Sequence, residues 1–342
     1  MHYSLQLHGN LDIDAYPVLT RRAEQLGFAD LTIHDVLLRR PVWPVLCDVA
    51  RASEQLLIGP NVTHPHLQHP AVIAANIAHL DELSGGRAVV GIGRGSLYEI
   101  VGRTLPRGYE SLAEAVAVIR ALLRGETAGI DGETFSLAPN QAFTFGEPRD
   151  VPVFLGVYGR KGAELAGQIA DGVRSAAQWD PAWMTQFRGW LAESAERAGR
   201  DPDSVELTVE NWTYLHPDRD LARTAARRLL CNFLPYLGTM LEFYKIPDQE
   251  VDAARAVTLD GQLDRVDEIS DSTVDRFMAA GDADDLRRGL DNWEAAGFST
   301  VSFSGALGPD TDLALDMIGA EIERRTTNNT TNTTTNTGEA NS

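Results

Sequence analysis

The chain has 342 residues, of which 43% are hydrophobic, so it is long enough for one large domain with a single core or for two smaller domains. Its formal net charge is −19, and a field of that sign argues against nucleic acid and anionic membranes as partners. Only Lys161 and Lys245 supply lysine. An acidic, lysine-poor surface favours adaptation to high salt, although codon bias explains the deficit nearly as well.

Other features of the sequence exclude further classes of protein. No apolar stretch approaches the roughly eighteen residues that span a bilayer. The N-terminal sequence MHYSLQLHGN lacks the basic start and apolar core of a secretory signal. The cysteines, Cys47 and Cys231, are too few for a disulfide framework or a thiolate zinc site. We therefore expect a cytoplasmic protein.

Strand-like and helix-like segments alternate along the chain. Short apolar runs bounded by turn residues predict strands that are covered on both faces. In chain order these strands cover residues 2–7, 29–35, 55–62, 87–93, 151–157, 172–176, 204–215 and 299–304. Amphipathic segments predict helices over 16–28, 41–53, 70–83, 111–125, 161–170, 181–199, from about 218, and over 310–325.

Eight strands that alternate with helices predict an α/β fold, a (β/α)₈ TIM barrel rather than an open doubly wound sheet. Residues 236–284 are too long for a simple crossover, so we expect a helical insertion there, between strands 7 and 8 of a domain that covers residues 1–325. The tail, 326–342, is of low complexity and should be disordered. In such a barrel the functional residues lie at the C-terminal ends of the strands.

Three histidines follow the third strand in the sequence LLIGPNVTHPHLQHP, at positions 64, 66 and 69. Imidazole is a common metal ligand. Hydrolase barrels that use a His-x-His pair also need later histidines and an aspartate, however, and no histidine lies between His79 and His216. His69-Pro70 is typical of a helix start. We therefore predict no metal site, and a metal-dependent hydrolase stays an alternative from another class.

Two further strand ends carry glycine turns. GIGRGS (91–96) lacks the third glycine of a dinucleotide fingerprint, and indicates a tight strand end where a ligand approaches the backbone. LGVYGRKG (155–162) places a glycine turn before a helix that opens near Arg160 and Lys161. Helix-terminal N–H groups with a basic side chain favour phosphate binding over a plain turn.

Asp35 ends the second strand, directly after His34. A carboxyl group at this position can accept a hydrogen bond from a ligand ring or act as an acid. It can equally cap the following turn or helix. The residue types alone leave these roles open.

Four segments together resemble a known family. They read AEQLGFADLTIHD, IGPNVTHPHLQHPAVIAANIAHLDELSGGRAVVGIGRGS, LGVYGRKGAELAGQIADGV and SFSGALGPDTDLALDMIGAEI. In this order they resemble the bacterial-luciferase-like superfamily of flavin and deazaflavin barrels. The likeness is closest to its coenzyme F420-dependent branch, in particular methylenetetrahydromethanopterin reductase, and it covers about residues 3–325.

The resemblance implies a barrel that holds the deazaflavin at its C-terminal mouth. It implies a bulge at the end of the third strand, where the Asn61-Val62 peptide bond is cis and backs the ring. Asp35 matches an aspartate near the ring. The other positions that match coenzyme-binding residues are Thr63, Gly93, Gly95, Gly156, Gly159, Arg160 and Lys161.

The sequence also departs from the family pattern. Where the reductase has a glutamate proposed to handle protons, this chain has Gln6, which cannot be a general acid. The family's Asp-His pair becomes His34-Asp35, and Arg94 replaces a common proline. The candidates for catalytic residues are therefore Asp35, Gln6 and His64, with Glu99 a further possible acid.

The resemblance implies a coenzyme F420-dependent oxidoreductase that transfers a hydride between reduced deazaflavin and a small substrate. The substrate expected first is methylenetetrahydromethanopterin or methylenetetrahydrofolate. The alternatives are an FMN-dependent monooxygenase that needs a separate flavin reductase, and a barrel that binds flavin without turnover. Aromatic residues within 231–246, namely Phe233, Tyr236, Phe243 and Tyr244, either cover the site or pack between helices. By analogy we expect a homodimer or homotetramer.

Overall fold

Parallel strands form the centre of the molecule. The computed structural model describes residues 1–95, 98–104, 108–176 and 178–336. Within these ranges the strands are β1 (His2–Leu7), β2 (Asp30–Ile33), β3 (Leu57–Pro60), β4 (Val90–Gly93), β5 (Val153–Gly156), β6 (Gly172–Ala176), β7 (Glu206–Leu215), β8 (Met278–Gly281) and β9 (Thr300–Leu307).

The strands close into a barrel. Their hydrogen-bonded order is β3-β2-β1-β9-β7-β6-β5-β4, and all of these pairs are parallel. Parallel bridges between Ile58 and Ala88 and between Thr63 and Ile92 join β3 to β4 and complete the circle. Each of the eight strands predicted from the sequence is present, and the predicted TIM barrel is confirmed.

Helices surround the barrel in the described residues. They are α1 (Ala15–Gln25), α2 (Val42–Ala52), α3 (Pro70–Ser84), α4 (Glu110–Arg124), α5 (Arg160–Ile169), α6 (Ala182–Arg197), α7 (Arg219–Cys231), α8 (Thr239–Tyr244), α9 (Asp248–Asp260), α10 (Asp271–Phe277), α11 (Ala283–Ala295) and α12 (Thr311–Asn336). None of the helices in the described ranges is long and apolar enough to cross a membrane.

The segment between β7 and α11 contains the predicted insertion. It is mainly helical, as expected, but it also contributes β8, which pairs with the C-terminal half of β7 outside the main strand order. The last helix, α12, continues beyond residue 325 to Asn336. Residues 337–342 lie outside the described ranges, and the disorder of the tail stays a prediction.

The two faces of the barrel strands differ in polarity. Leu5, Leu31 and Ile58 point outward into a fully buried apolar layer beneath the helices. Alternate residues point inward because successive side chains of a strand lie on opposite faces. Arg174 of β6 reaches Ser4 of β1 at 3.3 Å, a contact between strands that are not neighbours. The barrel interior therefore contains polar and charged side chains.

Candidate active site

A bulge ends β3 at the mouth of the barrel. Two bridges join the β3 and β4 segments. Between them the chain advances five residues on the β3 side, from 58 to 63, but only four on the β4 side, from 88 to 92. The extra residue disrupts the alternation of side chains. The Asn61-Val62 peptide bond inside this bulge is cis, so the prediction from the resemblance is confirmed.

Two glycines leave room for the side chain of Val62 inside the barrel. A Cβ atom on Gly156 would lie 2.7 Å from Cγ1 of Val62, and one on Gly93 would lie 2.9 Å from Cγ2. Real Cβ atoms do not approach other carbons so closely. These glycines lie at strand ends, and their immediate function is to accommodate Val62. The approach of a ligand to them stays a prediction.

Replacing Gly156 by alanine is expected to push Val62 out of position and to weaken coenzyme binding about tenfold or more, since one inserted methyl group typically costs about 1–3 kcal/mol in a packed site. Fluorescence titration with F420 measures the effect. Gly189→Ala is the matched control, because the added Cβ meets no atom within 4 Å in α6. Unchanged affinity in Gly156→Ala would contradict this role of the glycine.

Gln6 fixes the backbone of the bulge. Its amide Nε2 donates a hydrogen bond of 2.6 Å to the carbonyl oxygen of Asn61, and both side chains are buried. An ionised glutamate at this position has no proton to donate to that carbonyl. Gln6 therefore holds the Asn61 carbonyl in place, and a direct part for it in catalysis stays a prediction.

Asp35 and His64 meet beside the bulge. Oδ2 of Asp35 accepts a 2.7 Å hydrogen bond from the hydroxyl of Thr63. Both residues line a small pocket whose other members are His34, Val36, Leu37, Val62 and Gly95. Burial lowers the pKa of His64 below its usual 6.5, and Asp35 opposes only part of that effect, so the imidazole is neutral at pH 7.

The remaining histidines near the mouth are structural or neutral. Burial, with contributions from His8 and Arg39, lowers the pKa of His34 to about 4. His66 Nε2 lies 3.2 Å from the hydroxyl of Ser111, and His69 caps α3 by accepting from the Ala71 amide at 3.2 Å. No three His, Cys, Asp or Glu side chains are grouped to hold a metal ion in the ranges that the structure describes.

The predicted phosphate loop lies beside the bulge, because Val62 packs over Gly156 and α5 begins four residues later. Gly159 is the N-cap of α5, and no side chain caps this helix end. Lys161 is exposed, whereas Arg160 pairs with Glu164 at 3.0 Å. The open helix end fits an anion. Phosphate binding by these residues stays a prediction.

The predicted aromatic residues divide into two groups. Phe233 stacks on Trp212, an inward residue near the end of β7, with ring centroids 4.3 Å apart. Tyr244 instead packs between helices, and its hydroxyl donates to the Asp180 carbonyl at 3.0 Å. Phe233 and Trp212 together form an aromatic face at the barrel mouth. The side chain of Glu99, named above as a possible acid, lies outside the described part of the structure.

A buried polar cluster below the mouth escaped the sequence prediction. Arg174 contacts Asp30 at 3.3 Å and Ser4 at the same distance, and its guanidinium lies over the Phe154 ring. Glu210 of β7 faces the same interior. The sequence did contain a signal for this cluster, namely charged residues within short, otherwise apolar strands. A buried strand rarely contains a charged side chain unless that side chain is paired with another.

Comparison with known proteins agrees with this geometry. The chain matches the luciferase-like monooxygenase family over residues 3–300. It is 30% identical over 309 residues to the 5,10-methylenetetrahydromethanopterin reductase of Archaeoglobus fulgidus, covering 88% of this chain and 92% of the relative. It is 28% identical over 310 residues to that of Methanolobus tindarius, covering 88% and 93%.

Solved structures show the same fold. The coenzyme F420 dependent tetrahydromethanopterin reductase from Methanopyrus kandleri superimposes with a TM-score of 0.87 at 24% identity, over 95% of this chain and 99% of that one. An F420-dependent secondary alcohol dehydrogenase superimposes with a TM-score of 0.72 at 21% identity, over 94% and 98%. The chain therefore belongs to the luciferase-like monooxygenase family, as the resemblance implied.

Proposed function

We propose that this protein is a coenzyme F420-dependent oxidoreductase that reduces a methylene-tetrahydropterin or methylene-tetrahydrofolate to its methyl form. The observation that carries the proposal is the mouth of the barrel. There, Val62 faces inward over two glycines, beside an Asp35–Thr63 pair and an open helix end. The relatives named as methylenetetrahydromethanopterin reductases support the same reaction.

The buried polar atoms of the bulge fit a flat heterocycle. In the described residues, both side-chain polar atoms of Asn61 and Nδ1 of His64 are buried without a hydrogen-bond partner. Buried polar atoms are almost always satisfied, so these atoms favour a ligand edge with donors and acceptors. The bulge would support the ring, and Gly159 and Lys161 would bind the phosphate at the α5 end.

The chain's own residues position the reactants. When bound, the reduced coenzyme supplies a hydride. Val62 would fix the plane of the ring, and the aromatic face of Trp212 and Phe233 would orient a second flat ring against it. Catalysis then depends largely on placing donor and acceptor carbons in contact, together with one proton transfer to nitrogen.

The test is a titration of purified protein with F420 and with FMN, followed by assays of methylene-tetrahydropterin and methylene-tetrahydrofolate. We expect binding of F420 but not FMN, and F420H₂ oxidation that depends on one of the two substrates. Tight FMN binding with oxygen consumption would instead establish the monooxygenase, the reaction class after which the family is named.

We also propose a setting for this reaction: one-carbon metabolism in a salt-rich cytoplasm, carried out by a homodimer or homotetramer. The net charge of −19 supports the saline environment, since concentrated salt screens the repulsion within so acidic a chain. Light scattering with activity measurements at low and at multimolar KCl would test both parts. A monomer that is most active in dilute buffer would contradict them.

A further inference from the structure

Glu210 occupies an inward position one layer below the mouth of the barrel. In the strand register it is level with Ser302 of β9, which in turn is level with Ser4 of β1. Trp212 and Ser304, two residues further along their strands, are level with Gln6. Alternate residues on a strand are about 7 Å apart. Glu210 therefore lies directly beneath the layer that contains Gln6, and Gln6 contacts the bulge.

Glu210 is buried without a full set of partners. It is 8% exposed, and its Oε1 has no hydrogen-bond partner among the described residues. Two charged groups face it, Arg174 from β6 and Asp30 from β2. Burial raises the pKa of Glu210 to about 7, and Asp30 adds to the rise whereas Arg174 lowers it. At neutral pH the protonated and the ionised forms of this carboxyl group are therefore both populated.

Hydroxyl groups line the inward face of β9 below this layer, level with it and above it. The inward face of β9 consists of Thr300, Ser302 and Ser304, all buried. Within the described ranges, Oγ of Ser302 and Nε of Arg174 also lack partners. Buried polar atoms gathered in this way typically bind ordered water, and a chain of two waters, at about 2.8 Å for each hydrogen bond, spans a gap of about 7 Å between hydroxyls.

Among the described residues at the mouth, Asp35 is a candidate acid, and a group that gives up its proton needs a source that restores it. Gln6 has no acidic proton, and buried His64 is neutral at pH 7. Reduction of a methylene-tetrahydropterin, however, requires a proton for each hydride. The carbon takes the hydride, the carbon–nitrogen bond breaks, and the nitrogen takes a proton. Oxidation of F420H₂ releases one proton together with the hydride, so a donor that gives its proton is refilled in the same turnover.

We infer that Glu210 is the proton reservoir of this enzyme and that it exchanges protons with the mouth through Ser302, Ser304 and bound water. The inference rests on the proposed function. Glu210 does not touch the substrate and acts through the residues and water above it. From β7, two strands away from the strand of Gln6 in the barrel order, it supplies the proton that Gln6 cannot provide.

Two readouts on Glu210→Gln test the inference. The first is turnover against pH. Wild-type turnover should fall as pH rises through about 7, whereas the variant should be about tenfold or more slower below that pH and show no such fall, as general acid–base contributions of about 10²–10⁴-fold allow. The second readout needs no coenzyme. Difference infrared spectroscopy should show a protonated carboxyl band in the wild type that titrates near pH 7 and is missing in the variant.

Protein stability gives an independent check with a definite sign. Between the ordinary glutamate pKa of 4.5 and about 7, the folded protein keeps a proton that the unfolded chain releases. Wild-type stability should therefore fall as pH rises across this window relative to Glu210→Gln. Denaturant midpoints for the two proteins measure that difference, and parallel pH curves would overturn the assignment of a raised pKa.

A second pair of variants tests the route. Ser302→Ala removes the hydroxyl level with Glu210, and should slow turnover severalfold without moving the infrared band. Thr300→Ala, one inward position further from the mouth, should leave turnover unchanged. If the wild-type protein fails to bind F420, the proposed function is wrong. The infrared band of the Glu210 carboxyl group can still be measured in that case. Normal F420 turnover with an unaltered pH profile in Glu210→Gln would overturn the inference alone.

Discussion

Replacing Asp35 by alanine should lower turnover by about 100-fold or more, the range typical of a lost acid–base group, while the dissociation constant of F420 changes little. We expect this difference between turnover and affinity because of where the carboxyl group lies. The carboxyl group of Asp35 lines the pocket that contains Val62 and His64, so it faces the reacting part of the site rather than the phosphate loop. Steady-state assays combined with fluorescence titration separate the two effects.

Two variants distinguish proton transfer from support of the bulge. Asp35→Asn keeps an oxygen that accepts the hydrogen bond of Thr63, so it should preserve the local structure and still be slow. Thr63→Val removes that hydrogen bond and leaves the carboxyl group, so it should lose much less turnover. If Asp35→Asn is as active as the wild type, the role of Asp35 is structural.

Replacing Arg174 by methionine should destabilise the protein by about 3–5 kcal/mol at neutral pH, as loss of one partner from a buried ion pair does. The change leaves two buried carboxyl groups, Asp30 and Glu210, without their cation. Because Arg174 lowers the pKa of Glu210, its removal raises that pKa further. The destabilisation should therefore be smaller in acid and grow as pH rises.

Denaturant unfolding at several pH values measures this effect, and a surface ion pair supplies the control. Arg51 lies 3.8 Å from Asp48, and both side chains are exposed. Arg51→Met should change stability by less than about 1 kcal/mol, with little dependence on pH. If Arg174→Met loses no more stability than Arg51→Met, the interior cluster makes no net contribution to the free energy of unfolding.

The barrel was predictable because its signals are local. Each buried strand is a short apolar run between turn residues, and such runs are recognised without knowledge of their partners. The start of α3 at His69-Pro70 is local in the same sense. β8 was missed because its four residues, Met-Ala-Ala-Gly, include two alanines and a glycine, which are rare in strands, and show no periodic pattern of polarity.

The site was predictable only in part, since its contacts join distant parts of the chain. The cis bond at Asn61-Val62 followed from the resemblance, whereas the hydrogen bond that Gln6 makes to Asn61 spans 55 residues. The contact between Ser4 and Arg174 spans 170 residues. Residue types alone do not show which inward positions of a barrel lie opposite each other. Strand register and the inward direction of each side chain decide that.

The pairing of β8 with β7 determines which part of the protein can move. Four consecutive residues of β8, from Met278 to Gly281, pair with Trp212 to Leu215, so the end of the insertion is attached to the barrel wall. Phe233, three residues before its beginning, stacks on the same strand. An insertion attached at both ends cannot swing open as one hinged body. Motion that admits substrate is therefore confined to the stretch between those attachments, which amide hydrogen exchange would detect as faster than exchange in β8.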